Sequence, residues 1–321
     1  MSLIKKIGTK ITSSAPARQI VHKSKNNSLP GFRGIPLYDV VMFFFQQVRK
    51  VGMTERASAI SFNLVMAIPP AIIFLFTLIP LLPISEDFEQ GLYSLIRDVV
   101  PGEENNANII SFLQDFINKP RNGLLSFSFV LSMFFSSNAM MGIQRSFDKN
   151  YIGFKKRKGF QKRIAALKVT FIIYVLVFIS VMLLVAQGKV LNLFDLSSGV
   201  KKIIIDTRWI IVILLFFYCI SYIYKHAPAV HKKWRLINPG SILATVLMLG
   251  MTLLFSWWVS RFGYYNQLYG SISTVLILMV LIFINSLVLL IGFELNVSIA
   301  SLKKITDERK DNPADGSDKK K

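Results

Sequence analysis

Apolar residues gather in six long runs, and polar residues gather between them. The runs cover 59–83, 124–142, 167–187, 209–224, 240–260 and 275–300. A helix needs about 20 mostly apolar residues to cross a hydrocarbon core. Barrel strands would instead alternate over about ten residues. These runs are continuous, so they predict helices, the fourth being the shortest. The pattern therefore predicts an all-α polytopic membrane bundle with six transmembrane helices.

Shorter amphipathic segments lie outside the runs. Residues 37–51 place Val41, Phe44, Phe45 and Val48 on one helical face. That face suits either an interfacial helix on the inner leaflet before the first span or a helix packed against the bundle's cytoplasmic end. In the gap 84–123, Leu92, Leu95, Ile96 and Val99 have helical spacing, as do Ile109, Phe112, Leu113, Phe116 and Ile117. Pro101-Gly102 separates the two sets. They predict two short helices capping the outer face, either as cover for helix ends or as a gate or partner surface.

Charge orients the runs. Lys and Arg number 10 in residues 1–58, 8 in 143–166, 4 in 225–239 and 7 in 301–321. The intervening gaps 84–123, 188–208 and 261–274 hold 3, 4 and 1. The positive-inside rule then places both termini in the cytoplasm, which requires an even number of spans. The implied organisation is a disordered basic arm over 1–36, a membrane domain over 37–302 and a disordered charged tail over 303–321. The arm has no apolar core of a secretory signal. Its acid-free, Ser-containing start also fits an organellar transit peptide. Trp209, Trp257, Trp258, Tyr264, Tyr265 and Tyr269 mark an aromatic belt at the outer interface.

Composition agrees: 52% hydrophobic and 17% charged, against about 25% charged for a soluble domain. A net charge of +20 in a soluble chain would suggest nucleic acid. Here the basic residues border the cytoplasmic ends of spans, so the expected partners are membrane lipids with anionic headgroups, with no nucleic acid. Cys219 is the single cysteine, so an intrachain disulfide and a cysteine-based metal site are excluded.

Polar groups inside hydrocarbon are costly and often mark function. In the first run, Arg56, Ile60, Asn63, Ala67 and Pro70 share a face, and Pro69-Pro70 kinks or breaks the helix near mid-membrane. In the second, Asn138, Gly142 and Arg145 share a face, with Asp148 placed to pair with Arg145. Ser241, Thr245, Thr252 and Ser256 form a packing seam in the fifth. In the sixth, Asn285, Gly292 and Asn296 line one face, and Glu294 points roughly the other way. Glu294 is the only acidic residue within the runs. Arg56 and Arg145 lie at similar depth, and either could pair with it. Arg56, Asn63, Pro69, Pro70, Asn138, Arg145, Asn285, Glu294 and Asn296 thus form a candidate polar path or helix clamp.

The segments ERASAISFNLVMAIPP from Glu55, SSNAMMGIQRSFDKNY from Ser136, YGSIS from Tyr269 and GFELN from Gly292 resemble the YihY/BrkB family of bacterial inner-membrane proteins. The likeness covers about residues 38–302, and the second segment is its most specific part. GFELN stands where the family more often has GAELN. The resemblance implies a six-span protein of the bacterial cytoplasmic membrane with no settled activity. Transport has been proposed for that family, and some members carry virulence or ribonuclease BN labels. A metal-dependent ribonuclease needs clustered His and Asp. This chain has three histidines, His22, His226 and His231, and no HxHxDH. No catalytic, cofactor or metal residues are expected. The residues favour a transporter or lipid-translocating protein with a polar path between spans one, two and six. The alternative is a non-catalytic scaffold of the cell envelope.

Overall fold

A computed structural model describes residues 24–25, 28–50, 52–78, 86–99, 103–118, 122–148, 157, 159–193, 198–230, 233–261 and 272–311. The described elements are helices: α1 Leu37–Lys50, α2 Met53–Leu78, α3 Glu86–Val99, α4 Glu103–Asn118, α5 Asn122–Phe147, α6 Gly159–Leu193, α7 Ser198–His226, α8 Pro239–Arg261 and α9 Ile272–Asp311. Five of them, α2, α5, α6, α8 and α9, are long and apolar enough to cross a membrane. The apolar part of α7, Ile210–His226, is shorter.

Neighbouring contacts run α5, α2, α9, α8, α7, α6 and back to α5, which closes a ring. The core inside the ring takes residues from all six helices. Ala57 and Ile60 come from α2, Met140 and Phe147 from α5, Val169 from α6, Tyr224 from α7, Ala244 from α8, and Leu290 and Phe293 from α9. This packing lies toward the end that carries the basic loops, called here the basic end. At the far end α5 joins its neighbours through rings and hydroxyls. Phe74 of α2 lies 5.1 Å from Phe129, and Tyr174 of α6 is 2.5 Å from Ser132 Oγ and 2.6 Å from Ser136 Oγ. The short helices α3 and α4 pack on each other, α3 also on α6 and α4 on α2, burying Tyr93 and Leu113.

Local chemistry sets several helix ends. Asn238 caps α8: its Oδ1 accepts from Ser241 N at 2.8 Å, and Ser241 Oγ accepts from Asn238 N at 3.3 Å. Pro239 follows as the first helical residue, where a missing N–H is harmless. α2 stays helical through Pro69 and Pro70, so the chain does not break there. The two rings deny the carbonyls of Val65 and Met66 their usual donors.

Both chain ends depart from the expected boundaries. Phe32 and Ile35 are buried with Val40 and Ile299, so packed structure begins before residue 37. The expected arm before residue 24 lies outside the described residues. α9 remains helical through Asp311, well into the expected tail. Two i,i+4 pairs support the extension, Lys303 to Asp307 at 2.7 Å and Lys304 to Glu308 at 3.6 Å. α1 leans on α9 through Leu37 and Val40, while Val41, Met42 and Phe45 stay exposed.

Candidate functional site

Arg56 sits in the first turn of α2, and Glu294 lies along α9, which crosses it. Arg56 Nη1 donates to Glu294 Oε1 at 2.6 Å, with the two side chains 7% and 0% exposed. Arg56 Nη2 donates to the Ser146 carbonyl, in the last turn of α5. Carbonyls there lack a donor from their own helix and carry the negative end of its dipole. One guanidinium therefore ties three helices. Removing two charges from water is expensive unless geometry and extra hydrogen bonds compensate, and the Ser146 carbonyl supplies one such bond.

Arg145 is exposed and takes no part in this pair. It points off the face that reaches α9, because one residue of helix rotates a side chain by about 100°. Asp148 does not pair with Arg145 either. Its Oδ2 meets Lys162 Nζ at 3.0 Å, and its Oδ1 accepts from Ala229 N at 3.2 Å. Asp148 lies just past the end of α5, so it turns toward α6 and the α7–α8 connection.

Next to the lock is an aromatic layer. Phe293 precedes Glu294 and stacks on Phe147, with centroids 3.8 Å apart and planes 6° from parallel. Trp234 packs 5.6 Å from the Phe293 ring. Tyr224 Oη donates to the Leu289 carbonyl at 2.6 Å. Here α8 and α9 touch backbone to backbone. A methyl group at Gly292 would lie 2.6 Å from the Gly240 carbonyl oxygen and 2.5 Å from Tyr224 Oη. Phe at the second position of GFELN thus provides the plate on which Phe147 and Trp234 rest.

A connection closes the basic end. Ala227, Pro228, Ala229 and Trp234, between α7 and α8, are buried. Connections usually run over the surface, because their backbone groups need water. These groups find protein partners instead. Arg157 donates from Nη1 to the Ala227 carbonyl at 3.0 Å and from Nη2 to the Pro228 carbonyl at 3.2 Å. Asp148 accepts from Ala229. Two basic connections are therefore latched to each other.

The four asparagines of the candidate path or clamp each sit in a helix seam. Asn63 bonds back to the Ala59 carbonyl at 2.6 Å and packs against Gly142, in the α2–α5 seam. Asn138 accepts from Arg163 of α6. Asn285 Nδ2 reaches the Leu281 carbonyl at 3.1 Å and Thr252 Oγ1 of α8 at 3.4 Å. Asn296 Nδ2 donates to Asn238 Oδ1 at 2.6 Å, and its Oδ1 accepts from Gly240 N at 2.9 Å. The four amides serve three different helix pairs, because each took the nearest neighbour able to satisfy it. Arg157, Asp148 with Lys162, Arg163 and Asn238 are the partners that residue-by-residue reading missed. The basic cluster between spans two and three was visible, but the targets of Arg157 are backbone carbonyls, which leave no mark in sequence, and Lys162 and Arg163 reach Asp148 and Asn138 across helices.

Burial is strongly one-sided. Among the described side chains, none of α6 past Thr170, of α7 before Ile220, of α8 past Thr245 or of α9 before Ser286 is buried. Burial in α6 to α9 is therefore confined to the basic end, while α2 and α5 keep Ala67, Pro70, Ser128 and Ser132 buried farther along. Among the described residues, no group of three or more His, Cys, Asp or Glu could hold a metal ion. His226 stacks on Tyr222 at 4.1 Å, and His22 and His231 lie outside the described residues.

The family model for virulence factor BrkB matches residues 44–318. The chain belongs to the BrkB family. A relative in Bacillus subtilis, named as ribonuclease-like protein YfkH, is 25% identical over 79% of this chain and 92% of its own length. A UPF0761 membrane protein of Idiomarina loihiensis is 30% identical over 32% of this chain and 35% of its own. Another, of Chromohalobacter salexigens, is 23% identical over 75% of this chain and 58% of its own. The chain thus spans most of YfkH and well under two thirds of these UPF0761 relatives. No solved structure matches. The family membership and the apolar helices together make this a multi-pass bacterial membrane protein.

Proposed function

We propose that this protein is a transporter or lipid-translocating protein of the cytoplasmic membrane, closed at its basic end. The single observation that carries the reading is the one-sided burial. The basic end holds the Arg56–Glu294 pair, the Phe147–Phe293 stack and the latched connection at 227–230. The far halves of α6 to α9 hold no buried described side chain. A bundle that opens alternately to the two sides would rest in such a form. In this reading α7 supplies the sixth span, its upper turns completing the shorter apolar segment. The basic end is cytoplasmic by its charge, and both termini lie there with it. The path enters between the far halves of α6 to α9 and stops at the lock between spans one, two and six. Exposed Val41, Met42 and Phe45 of α1 rest in the inner leaflet, and the basic loops face anionic headgroups rather than nucleic acid.

A second reading, a non-catalytic envelope scaffold, is favoured by one observation. The asparagines that would line a path are engaged in helix seams instead. Purified protein in liposomes separates the two. Scrambling of a fluorescent phospholipid and swelling in sorbitol are followed for the wild type and for Glu294→Gln. The transport reading expects flux in one assay and a several-fold change on substitution. No flux in either protein favours the scaffold.

A further inference from the structure

The latch at the basic end draws together two connections of the same sign. Residues 143–166 and 225–239 hold 8 and 4 Lys/Arg, against a single acid, Asp148. Like charges brought close repel unless counter-charge comes with them. Asp148 is the one carboxylate on hand, and both of its oxygens are engaged. Oδ2 meets Lys162 Nζ at 3.0 Å, and Oδ1 accepts from Ala229 N at 3.2 Å.

Arg157 meets the same short stretch of chain without a counter-charge. Its Nη1 and Nη2 donate to the carbonyls of Ala227 and Pro228 at 3.0 and 3.2 Å. Those residues directly precede the amide that Asp148 holds. Carbonyls orient a guanidinium but do not neutralise it. Among the described residues, no carboxylate pairs with Arg157 and no hydrogen bond reaches its Nε. The side chain is half-buried, so water compensates only part of its charge. Both Nη atoms are spent on the loop. The edge through Nε is left for another acceptor, and a guanidinium has N–H donors to spare for it. A phosphate matches such an edge with two parallel, charge-assisted bonds, roughly twice as strong as neutral ones.

We propose that Arg157 holds a phosphate group on its Nε edge while its Nη atoms hold the Ala227 and Pro228 carbonyls, so that the anion keeps the basic end shut. The bound phosphate fixes the guanidinium where the loop needs it and offsets the repulsion between the two connections. By linkage, the closed latch and the phosphate then strengthen each other. The phosphate comes from an anionic lipid headgroup of the inner leaflet, where such lipids collect, or from free phosphate. A diffuse attraction of basic loops to that leaflet would instead involve every exposed cation alike. The inference deepens the transport reading and rests on it for placing the basic end at the inner leaflet.

The test uses the full chain in nanodiscs of phosphatidylcholine, alone, with phosphatidylglycerol, or with added inorganic phosphate. Native mass spectrometry follows lipid retention, and hydrogen exchange follows the amides of residues 227, 229 and 230. In the wild type one of the two anions should slow that exchange about tenfold. Slowing by phosphatidylglycerol, with the lipid retained, identifies a headgroup, and slowing by inorganic phosphate a free anion. Arg157→Gln should lose the effect. Arg235→Gln, which removes an exposed charge from the same connection, should keep it. Each protein is compared with itself across the conditions, so a loop loosened by the substitution alone is not mistaken for the effect. The inference is overturned if neither anion slows exchange in the wild type, whatever lipid is retained. It is overturned equally if Arg235→Gln loses the effect as fully as Arg157→Gln does, or if Arg157→Gln keeps it. Exchange is read without flux. A protein whose latch responds to the anion yet moves nothing sinks the transport reading alone, and one that transports with a latch indifferent to both anions sinks this inference alone.

Discussion

Glu294→Ala removes the carboxylate that faces Arg56 across 2.6 Å in a site with almost no solvent exposure. The guanidinium keeps the Ser146 carbonyl but loses its counter-charge, and water cannot reach it without opening the α2–α9 contact. Breaking one side of a buried pair costs about 3–5 kcal/mol. Arg56→Met leaves the carboxylate alone and should cost a similar amount. The double variant Arg56→Met with Glu294→Met leaves no buried charge, and such replacements are often neutral or stabilising by about 1–4 kcal/mol. The two single losses therefore should not add, and the cycle should show coupling of several kcal/mol. Equilibrium unfolding in one fixed micelle, by denaturing detergent and by heat, measures all four proteins. Single losses below about 1 kcal/mol, or a double variant as unstable as their sum, would refute the claim that this pair is dry and mutually dependent.

Other outcomes follow from the same contacts. Gly292→Ala forces a methyl toward the Gly240 carbonyl and should destabilise by about 1–3 kcal/mol, read as a lowered unfolding midpoint. Asn238→Ala removes the α8 cap and the acceptor for Asn296 Nδ2. The cap alone is worth about 1 kcal/mol, and hydrogen exchange should quicken in the first turn of α8. Asp148→Ala frees Ala229 N and Lys162, so amides 227–230 should lose protection while those of α9 near Phe293 keep theirs. If both segments loosen together, the latch is not a separate element.

The apolar runs made the helical bundle legible because a membrane span carries its signal in twenty consecutive residues. The short helices α3 and α4 were readable for the same reason, from apolar spacing on either side of Pro101-Gly102. Pairings were harder. Glu294 is conspicuous as a lone carboxylate, yet choosing Arg56 over Arg145 requires the crossing of α2 and α9, which no local pattern encodes. Asp148 reached Lys162 because the chain leaves its helix there and i,i+3 spacing no longer applies. The tail after residue 302 looked disordered by composition, but a helix already forming can be extended by i,i+4 pairs. Asn63, Asn138, Asn285 and Asn296 could be placed on helix faces from sequence, but a helical wheel does not show the neighbour that occupies a face.

The most direct test of a bundle closed at one end and open at the other is two-sided thiol labelling in intact cells and inverted vesicles. With Cys219→Ser as background, Asn285→Cys and Ala227→Cys are each treated with a membrane-impermeant methanethiosulfonate. The account predicts that Asn285→Cys reacts from the outside, and that Ala227→Cys stays protected from both sides until Glu294→Gln is added. Protection of both positions from both sides, with or without Glu294→Gln, would contradict it and describe a solid bundle.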